Sequence, residues 1–334
     1  MRRIISANNL LLIGIVVLGA IVLGLATSGQ FFGSVSMTSF FRFVSVPILI
    51  GLAQMITLCV GQLNLAVGAI GGAAACFTGV IISSWGVPPW IGAVMGILTG
   101  AVFGLVNGLL VVGTRINGFI VTLAMSQILI GVQYALVGTR TIERSAWPEL
   151  AAFGRSEIFG IPTIFLLTLV VAAVVALYFS QTVSGRKLLA SGGNPSAAQL
   201  AGISTDRAVV VAHTLSGLLC GVAAMVSISF LPGVNTTVGG DWLLPSFAAP
   251  IIGGVALAGG TVAVLGTVLA AMVVRLVDAA SPIFHFDAEV VNFVVGAVVL
   301  GTVALGKLRE VQATRYASKI RSIRAEAALA QVRK

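Results

Sequence analysis

Charge is what this sequence has least of. Asp, Glu, Lys and Arg make up 9% of its 334 residues, against about 25% in a soluble domain. A chain so composed cannot cover a water-facing surface with charge, which excludes an ordinary soluble globule. Histidine is nearly absent: His213 and His285 are far apart in sequence. No Ser/His/Asp arrangement and no pair of carboxylates falls inside an apolar run, so hydrolytic chemistry within the membrane has no support. His285 lies near Asp287 and Glu289, in a polar stretch that reads as a solvated loop rather than a metal site. Cys59, Cys76 and Cys220 all fall inside apolar runs. They lack metal-ligand spacing and polar neighbours, and read as small core residues. The sequence indicates no metal and no enzyme.

What is present is hydrophobic length. The chain is 58% hydrophobic with a mean hydropathy of +1.09. Apolar runs of roughly 20 residues recur from end to end, each long enough to cross about 30 Å of hydrocarbon as a helix. They are continuously apolar, whereas a barrel strand alternates over about ten residues. The pattern predicts an all-α polytopic membrane protein with about ten transmembrane helices, at 10–28, 43–60, 64–82, 90–112, 118–138, 161–180, 207–230, 243–258, 261–280 and 289–306. The segment 243–258 is short and glycine-rich, and re-entry is the alternative to a crossing there. The first run is read as a retained span, since no small-residue cleavage site follows it.

Charge placement predicts orientation. With both termini in the cytoplasm, 14 of the 19 Lys and Arg residues lie inside and 5 outside (Arg42, Arg140, Arg144, Arg155 and Arg275). Seven of the 10 acids lie outside. The reverse topology breaks the positive-inside rule. The net charge of +9 thus serves topology and the bilayer surface and gives no nucleic-acid reading. Residues 1–306 form the membrane domain, with an external loop at 139–160 and an internal loop at 181–206; 307–334 form a basic cytoplasmic tail facing anionic headgroups or an acidic partner. Arg275 and Asp278 stand one helical turn apart and are expected to pair.

Three patterns carry more detail. Gly92, Gly96, Gly100, Gly104 and Gly108 recur every fourth residue, a slowly rotating stripe that lets another backbone approach closely. In the internal loop, Asn194 is a good N-cap and Pro195 fits the first helical position. About two turns follow before Gly202, which suits the left-handed conformation that stops a helix. Such a short capped helix presents Ala197, Ala198, Leu200 and Ala201 to a partner with a groove. Inside the spans, the polar residues are neutral: Gln54, Asn64, Asn107, Gln127, Gln133 and Asn292. Polar groups in lipid face helix contacts or a wet path. Gln54, Asn64, Asn107, Gln127 and Asn292 are the expected path, suited to a polyol and not to a proton relay.

The stretch Gly185-Arg-Lys-Leu-Leu-Ala-Ser-Gly-Gly-Asn-Pro-Ser-Ala-Ala-Gln-Leu-Ala-Gly-Ile203 resembles the cytoplasmic loop of ribose-type ABC transporter permeases, G-R-x-x-x-A-x-G-G-N-x-x-A-A-x-x-x-G-I. Asn107-Gly-Leu-Leu110, Arg115 to Thr122 with Phe119-Ile-Val-Thr-Leu, and Ile252-Gly-Gly-Val-Ala-Leu-Ala-Gly-Gly260 followed by Val264-Leu-Gly-Thr267 resemble further segments of that family, in order. Two segments depart from it. Gly61-Gln-Leu-Asn-Leu-Ala-Val-Gly68 places Asn64 and Ala66 where the family has an acid and a serine, and Arg275-Leu-Val-Asp278 stands where it has N-N-G.

The resemblance implies a permease subunit importing a monosaccharide or related polyol by alternating access. The short helix, with Asn194, Pro195, Ala197, Ala198, Leu200, Ala201 and Gly202, would be the coupling helix. Its expected partners are a cytoplasmic ATPase that carries the ATP and Mg, a second permease copy, and a periplasmic or surface sugar-binding protein. The expected location is the inner membrane of a prokaryote, and no cofactor is expected on this chain. Gly301-Thr-Val-Ala-Leu-Gly-Lys-Leu308 approaches a phosphate-binding loop but has Leu308 where Ser or Thr must hold Mg. The alternative class, an ion-coupled secondary transporter, would leave the capped helix unexplained and lacks a midplane acid.

Overall fold

The computed structural model describes residues 7–284 together with Phe293, Gly296, Ala297, Leu300 and Gly301. The helices are α1 (Ala7–Ala26), α2 (Ser34–Cys59), α3 (Val67–Trp85), α4 (Pro89–Thr114), α5 (Gly118–Val137), α6 (Pro148–Arg155), α7 (Thr163–Gln181), α8 (Val183–Gly193), α9 (Pro195–Leu200), α10 (Thr205–Phe230), α11 (Leu243–Ile252) and α12 (Val264–Phe284). Two 3-10 turns, Gln30–Phe32 and Arg144–Ala146, and four two-residue strands complete the described elements; the strands are β1 (Ile142–Glu143), β2 (Glu157–Ile158), β3 (Ile161–Pro162) and β4 (Gly233–Val234). Among the described residues, 8 helices are long and apolar enough to cross a membrane: α1 to α5, α7, α10 and α12. The expected span at 289–306 and the basic tail at 307–334 lie outside the described residues, apart from the five named above.

The spans form two layers. α2, α3 and α10 are enclosed, with 78%, 72% and 61% of their most apolar stretches buried, whereas the other five are 22–39% buried. The outer five present Leu, Ile and Val to their surroundings, such as Leu18, Val94, Leu98, Ile128 and Val174. In lipid these side chains have no reason to turn inward. α10 stands at the centre, packed against α2, α3 and α4.

The α4 stripe meets α10. A methyl group at Gly100 would strike the backbone of Gly217 and Gly221; at Gly104, His213 and Gly217; at Gly108, Val210. Gly92 and Gly96 instead face Ile82 and Thr78 of α3, with Met225 of α10 also against Gly96. The glycines of α10, Gly217 and Gly221, complement those of α4, so the two backbones touch without side chains between them.

The segment around 243–258 crosses with only a short helix, running from β4, paired with β1 at the far end, to Gly260, whose N–H bonds the Cys59 carbonyl at the other end. α11 has 10 residues, about 15 Å of helix, half the hydrocarbon thickness. Ahead of it the chain runs without regular structure down the glycine face of α3. Val234 and Ile142 pack on Gly79, the Asn235 carbonyl lies 3.6 Å from the Cys76 sulfur, Val238 meets Gly72, Gly239 meets Gly68, and the Trp242 ring covers Gly71. Irregular backbone at that depth persists only where protein encloses it. The α3 glycines at 68, 71, 72 and 79 provide the trench. Their helical spacing was available in the sequence.

The far end is capped by residues 139–162. β1 pairs antiparallel with β4, Trp147 is fully buried and donates to the Ile228 carbonyl at 3.2 Å, and Arg144 donates to the Phe230 carbonyl at 3.2 Å. Arg42 lies 3.9 Å from Glu157. Arg275 and Asp278 pair at 3.7 Å, with the guanidinium 4.9 Å from the Phe43 ring centre.

Replacing Gly104 by Val drives two methyls into the α10 backbone. Overpacking costs about 1–3 kcal/mol, so the detergent-solubilised variant should melt several degrees below wild type. Gly113→Ala, at a site with nothing within 4 Å, should melt no lower than wild type.

Candidate functional site: a buried polar layer and a capped inner helix

The end of the bundle bearing residues 181–206 is here called the inner end. Between α2 and α3, the chain leaves helical geometry at 60–66 and turns back into the bundle. Asn64 is fully buried and its amide donates to the Ser216 hydroxyl at 3.1 Å. Ser216 lies 11 residues along α10 from Thr205, roughly 16 Å into the helix. Every backbone group in such a break needs a partner, and side chains supply several. With its amide turned to satisfy both, Gln54 donates to the Asn64 carbonyl (2.9 Å) and accepts from the Asn64 N–H (3.2 Å). The Asn64 side-chain oxygen accepts from Ala66 N–H at 3.0 Å. Leu65 N–H donates to the Thr122 hydroxyl at 3.1 Å, which in turn donates to the Gly118 carbonyl at 2.8 Å.

Toward the inner end lies a partly open cavity of about 440 Å³, lined by Gly61, Gln62, Leu63, Val111, Arg115 and Asp206 among others. That size falls within the range of small-molecule sites. Arg115 follows α4 with φ 59, and its guanidinium meets the Asp206 carboxylate in two parallel bonds of 2.8 Å. The hydrogen bond to Asp206, and then its charge, push the Arg115 pKa further up. Asp206 sits in the first turn of α10, where the helix dipole favours an anion. The pair ties the end of α4 to the start of α10 across the cavity mouth.

The other expected path residues divide. Asn107 is fully buried in α4. Gln127 is not within the bundle: it is exposed on the outward face of α5, one turn from Leu123 and next to Ile128. Asn292 lies outside the described residues. Gln133 is buried on α5 and donates to the Ala69 carbonyl at 3.3 Å, a helix contact.

The inner loop holds two helices. α8 is capped by Thr182, whose hydroxyl accepts from Gly185 N–H at 3.0 Å. α9 is capped by Asn194, whose side-chain oxygen accepts from Ala197 N–H at 3.0 Å, with Pro195 in its first turn. Gly202 follows with φ 77, and Ser204 caps α10 by accepting from Arg207 N–H at 3.3 Å. Leu200 is 92% exposed, and Asn194, Pro195, Ala197 and Ala201 are exposed beside it. Ala198 corrects the sequence reading. It is 5% exposed and turns toward its own chain, so it is no part of the free face. Residues two apart on a helix lie about 200° apart around its axis, so Ala198 faces its own chain while Leu200 points away.

Behind α9, three stretches of backbone converge. Gly192 sits against the Cys59 carbonyl at the end of α2, and Gly260 N–H donates to that same carbonyl at 2.8 Å. Gly260 has φ 75 and Gly193 at the place where a Cβ would stand. Sequence reading missed this junction, although its glycines were visible in two separate motifs.

A multi-span bundle with a broken helix, a crossing that is only partly helical and a buried, charge-free polar layer above a partly open cavity has the make-up of a membrane permease. Residues 36–303 match the family described as branched-chain amino acid transport system / permease component, and the chain belongs to that family. It is an ABC transporter permease, a multi-pass protein of the prokaryotic inner membrane. Among its relatives, the fructose import permease protein FrcC of Rhizobium meliloti is 29% identical over 307 residues, covering 90% of this chain and 85% of that protein. The D-allose transport system permease protein AlsC of Escherichia coli is 26% identical, covering 86% and 88%. The autoinducer 2 import system permease protein LsrC of an Enterobacter species is 29% identical, covering 79% and 77%. No solved structure matches the chain.

Replacing Gln54 by Met keeps the side-chain length and strands the Asn64 N–H and C=O. Each buried unsatisfied group costs about 1–3 kcal/mol, so the variant should melt well below wild type. Hydrogen exchange at Asn64 and Leu65 should quicken more than exchange within α10.

Proposed function

We propose that this chain is the membrane-spanning subunit of an importer that moves a monosaccharide or related small polyol inward by alternating access, driven by ATP hydrolysed on a partner polypeptide. The observation that carries this reading is α9. It is a helix of 6 residues, capped at its start, with Leu200 92% exposed on it. A leucine so displayed at the inner end suits a cleft on a cytoplasmic ATPase, which would carry the ATP and Mg. Closure of two such ATPases pulls on α9 and, through Ile203 and Ser204, on α10. The Arg115–Asp206 pair hands that movement to α4, and the Gly192–Cys59–Gly260 junction hands it to α2.

The substrate class rests on the relatives named for fructose and D-allose and on the absence of charge in the layer of Asn64, Asn107, Thr122 and Ser216. A neutral polyol exchanges its water shell for amides and hydroxyls without an ion partner. A binding protein delivers it to the outer mouth. A second permease, identical or related, pairs with this one, since two ATPases need two docking helices. Gln127 supports that pairing: an amide facing lipid is costly, and an adjoining permease on that face of α5 would cover it.

Transport of D-fructose or D-allose into cells carrying the complete system should survive an uncoupler while ATP is maintained. Arrest by the uncoupler would point to an ion-driven carrier. Leu200→Arg should insert normally, lose co-purification of the ATPase and lose at least tenfold of uptake, about 1.4 kcal/mol of docking. Wild-type uptake with the ATPase still bound would remove α9 from the coupling role.

A further inference from the structure

The hairpin between α6 and α7 carries a residue that its turn does not favour. β2 and β3 pair Glu157 with Pro162 and Ile158 with Ile161, and Phe159 and Gly160 join them. Both joining residues have positive φ, 53 and 77. A two-residue turn of that geometry prefers Asn-Gly or Gly-Gly, because a bulky side chain is strained in the left-handed region. Phe159 is also 100% exposed. Among the described residues, nothing packs on the ring to offset the strained backbone.

The base of the hairpin is held firmly. Thr163 N–H donates to the Ser156 carbonyl at 3.0 Å, and the Ser156 hydroxyl donates to the Thr163 hydroxyl at 2.8 Å. Glu157 faces Arg42 of α2, and β3 packs on α2 and α7. A fixed base therefore displays a bare tip, with Ile158 and Ile161 exposed on either side of Phe159 and Gly160.

Three observations name what covers that tip. No Asp, Glu, Lys or Arg occurs between Ile158 and Gly185, so the tip belongs to the same uncharged run as α7. α7 leaves Leu167, Val170, Val174 and Leu177 exposed, at the spacing of one helix face. That face is lipid-facing surface, and the hairpin continues from the end of the same helix. The bilayer boundary at the far end also lies at this height. Trp85 ends α3 and Trp90 opens α4, both exposed, in the position of an aromatic belt. The Trp90 ring lies 5.5 Å from that of Phe153, in the last turn of α6, just ahead of the hairpin. A partner protein would find no polar side-chain atom on residues 158–161 to recognise.

We propose that Phe159 inserts into the bilayer at the far end, between headgroups and acyl chains, and anchors the hairpin there. Its partner is lipid hydrocarbon. The anchor lies beyond the importer reading and holds whatever solute is carried. It fixes the depth of α7, which leads at its other end through Thr182 into α8 and α9. The sequence reading left Phe159 in the external loop at 139–160, because an apolar residue in a loop does not reveal its φ or its exposure.

The test uses the full chain reconstituted in vesicles of phosphatidylethanolamine and phosphatidylglycerol. The three native cysteines are buried, so Phe159→Cys offers one accessible thiol for a fluorescent label. Ser145→Cys, at an exposed position of the far-end cap, is the water-facing control. Lipids brominated in their acyl chains should quench the label at 159 several-fold more than the label at 145. Iodide on both sides of the bilayer should quench it several-fold less. Iodide quenching equal to that at 145 would overturn the anchor, placing the tip in water. Shielding from both quenchers would overturn it as well, since protein would then cover the ring. Phe159→Asn supplies a residue that the turn prefers. With the tip in lipid, hydrogen exchange across 156–163 should nevertheless quicken several-fold in vesicles, because the anchor is lost. Exchange no faster than in wild type would overturn the proposal, since the ring would then be holding nothing in place.

Discussion

Backbone in a membrane must find its hydrogen bonds inside the protein, and this structure depends on how that is met where its helices stop. The break at 60–66 is the clearest case. The chain turns back into the bundle, and Gln54, Asn64 and Thr122 take up N–H and C=O groups that a helix would have paired internally. Those three residues are fully buried. Their polarity is affordable because each is bonded to backbone, and it leaves a neutral polar layer in the middle of an apolar bundle. The second irregular stretch, ahead of α11, meets the same constraint differently. It lies in a trench of α3 glycines and pairs its backbone in local turns, Gly240 N–H on the Thr237 carbonyl at 3.0 Å and Trp242 N–H on the Gly239 carbonyl at 3.2 Å.

Close backbone approach is the other recurring device. α4 against α10, the irregular crossing segment against α3, and Gly192 against Cys59 and Gly260 all place glycine on one or both sides. A contact made without interlocking side chains resists separation, yet has few obstacles to sliding along its length. The α4–α10 contact runs from Gly100 at Gly217 and Gly221 to Gly108 at Val210. It ends at the Arg115–Asp206 pair at the inner end. In the proposed importer, that pair fixes the register of the two helices when α9 is pulled.

Much of this was legible in sequence because its causes are local or compositional. Low charge and long apolar runs specify membrane helices wherever they occur. Asn194, Pro195 and Gly202 specify a short capped helix through backbone geometry confined to nine residues. A glycine at every fourth position specifies a face that something approaches. What touches what could not be read. The partner of the α4 stripe, the trench on α3 and the pairing of Asn64 with Ser216 join residues separated by roughly a hundred positions or more, and their sequence patterns carry no address for the other side.

Rotation about each helix axis was likewise left to tertiary packing. Gln127 and Gln133 lie six residues apart on one helix, yet α5 turns Gln127 outward and Gln133 onto α3. Ala198 and Leu200 are two residues apart, and the first is buried while the second stands free. The sequence by itself determined the solvent, the helices and the short cap, because these follow from transfer energies and local backbone preferences. Which polar residues meet at one level, and which leucine is left for a partner, was decided by the tertiary structure, since only packing sets each helix's rotation and depth against its neighbours.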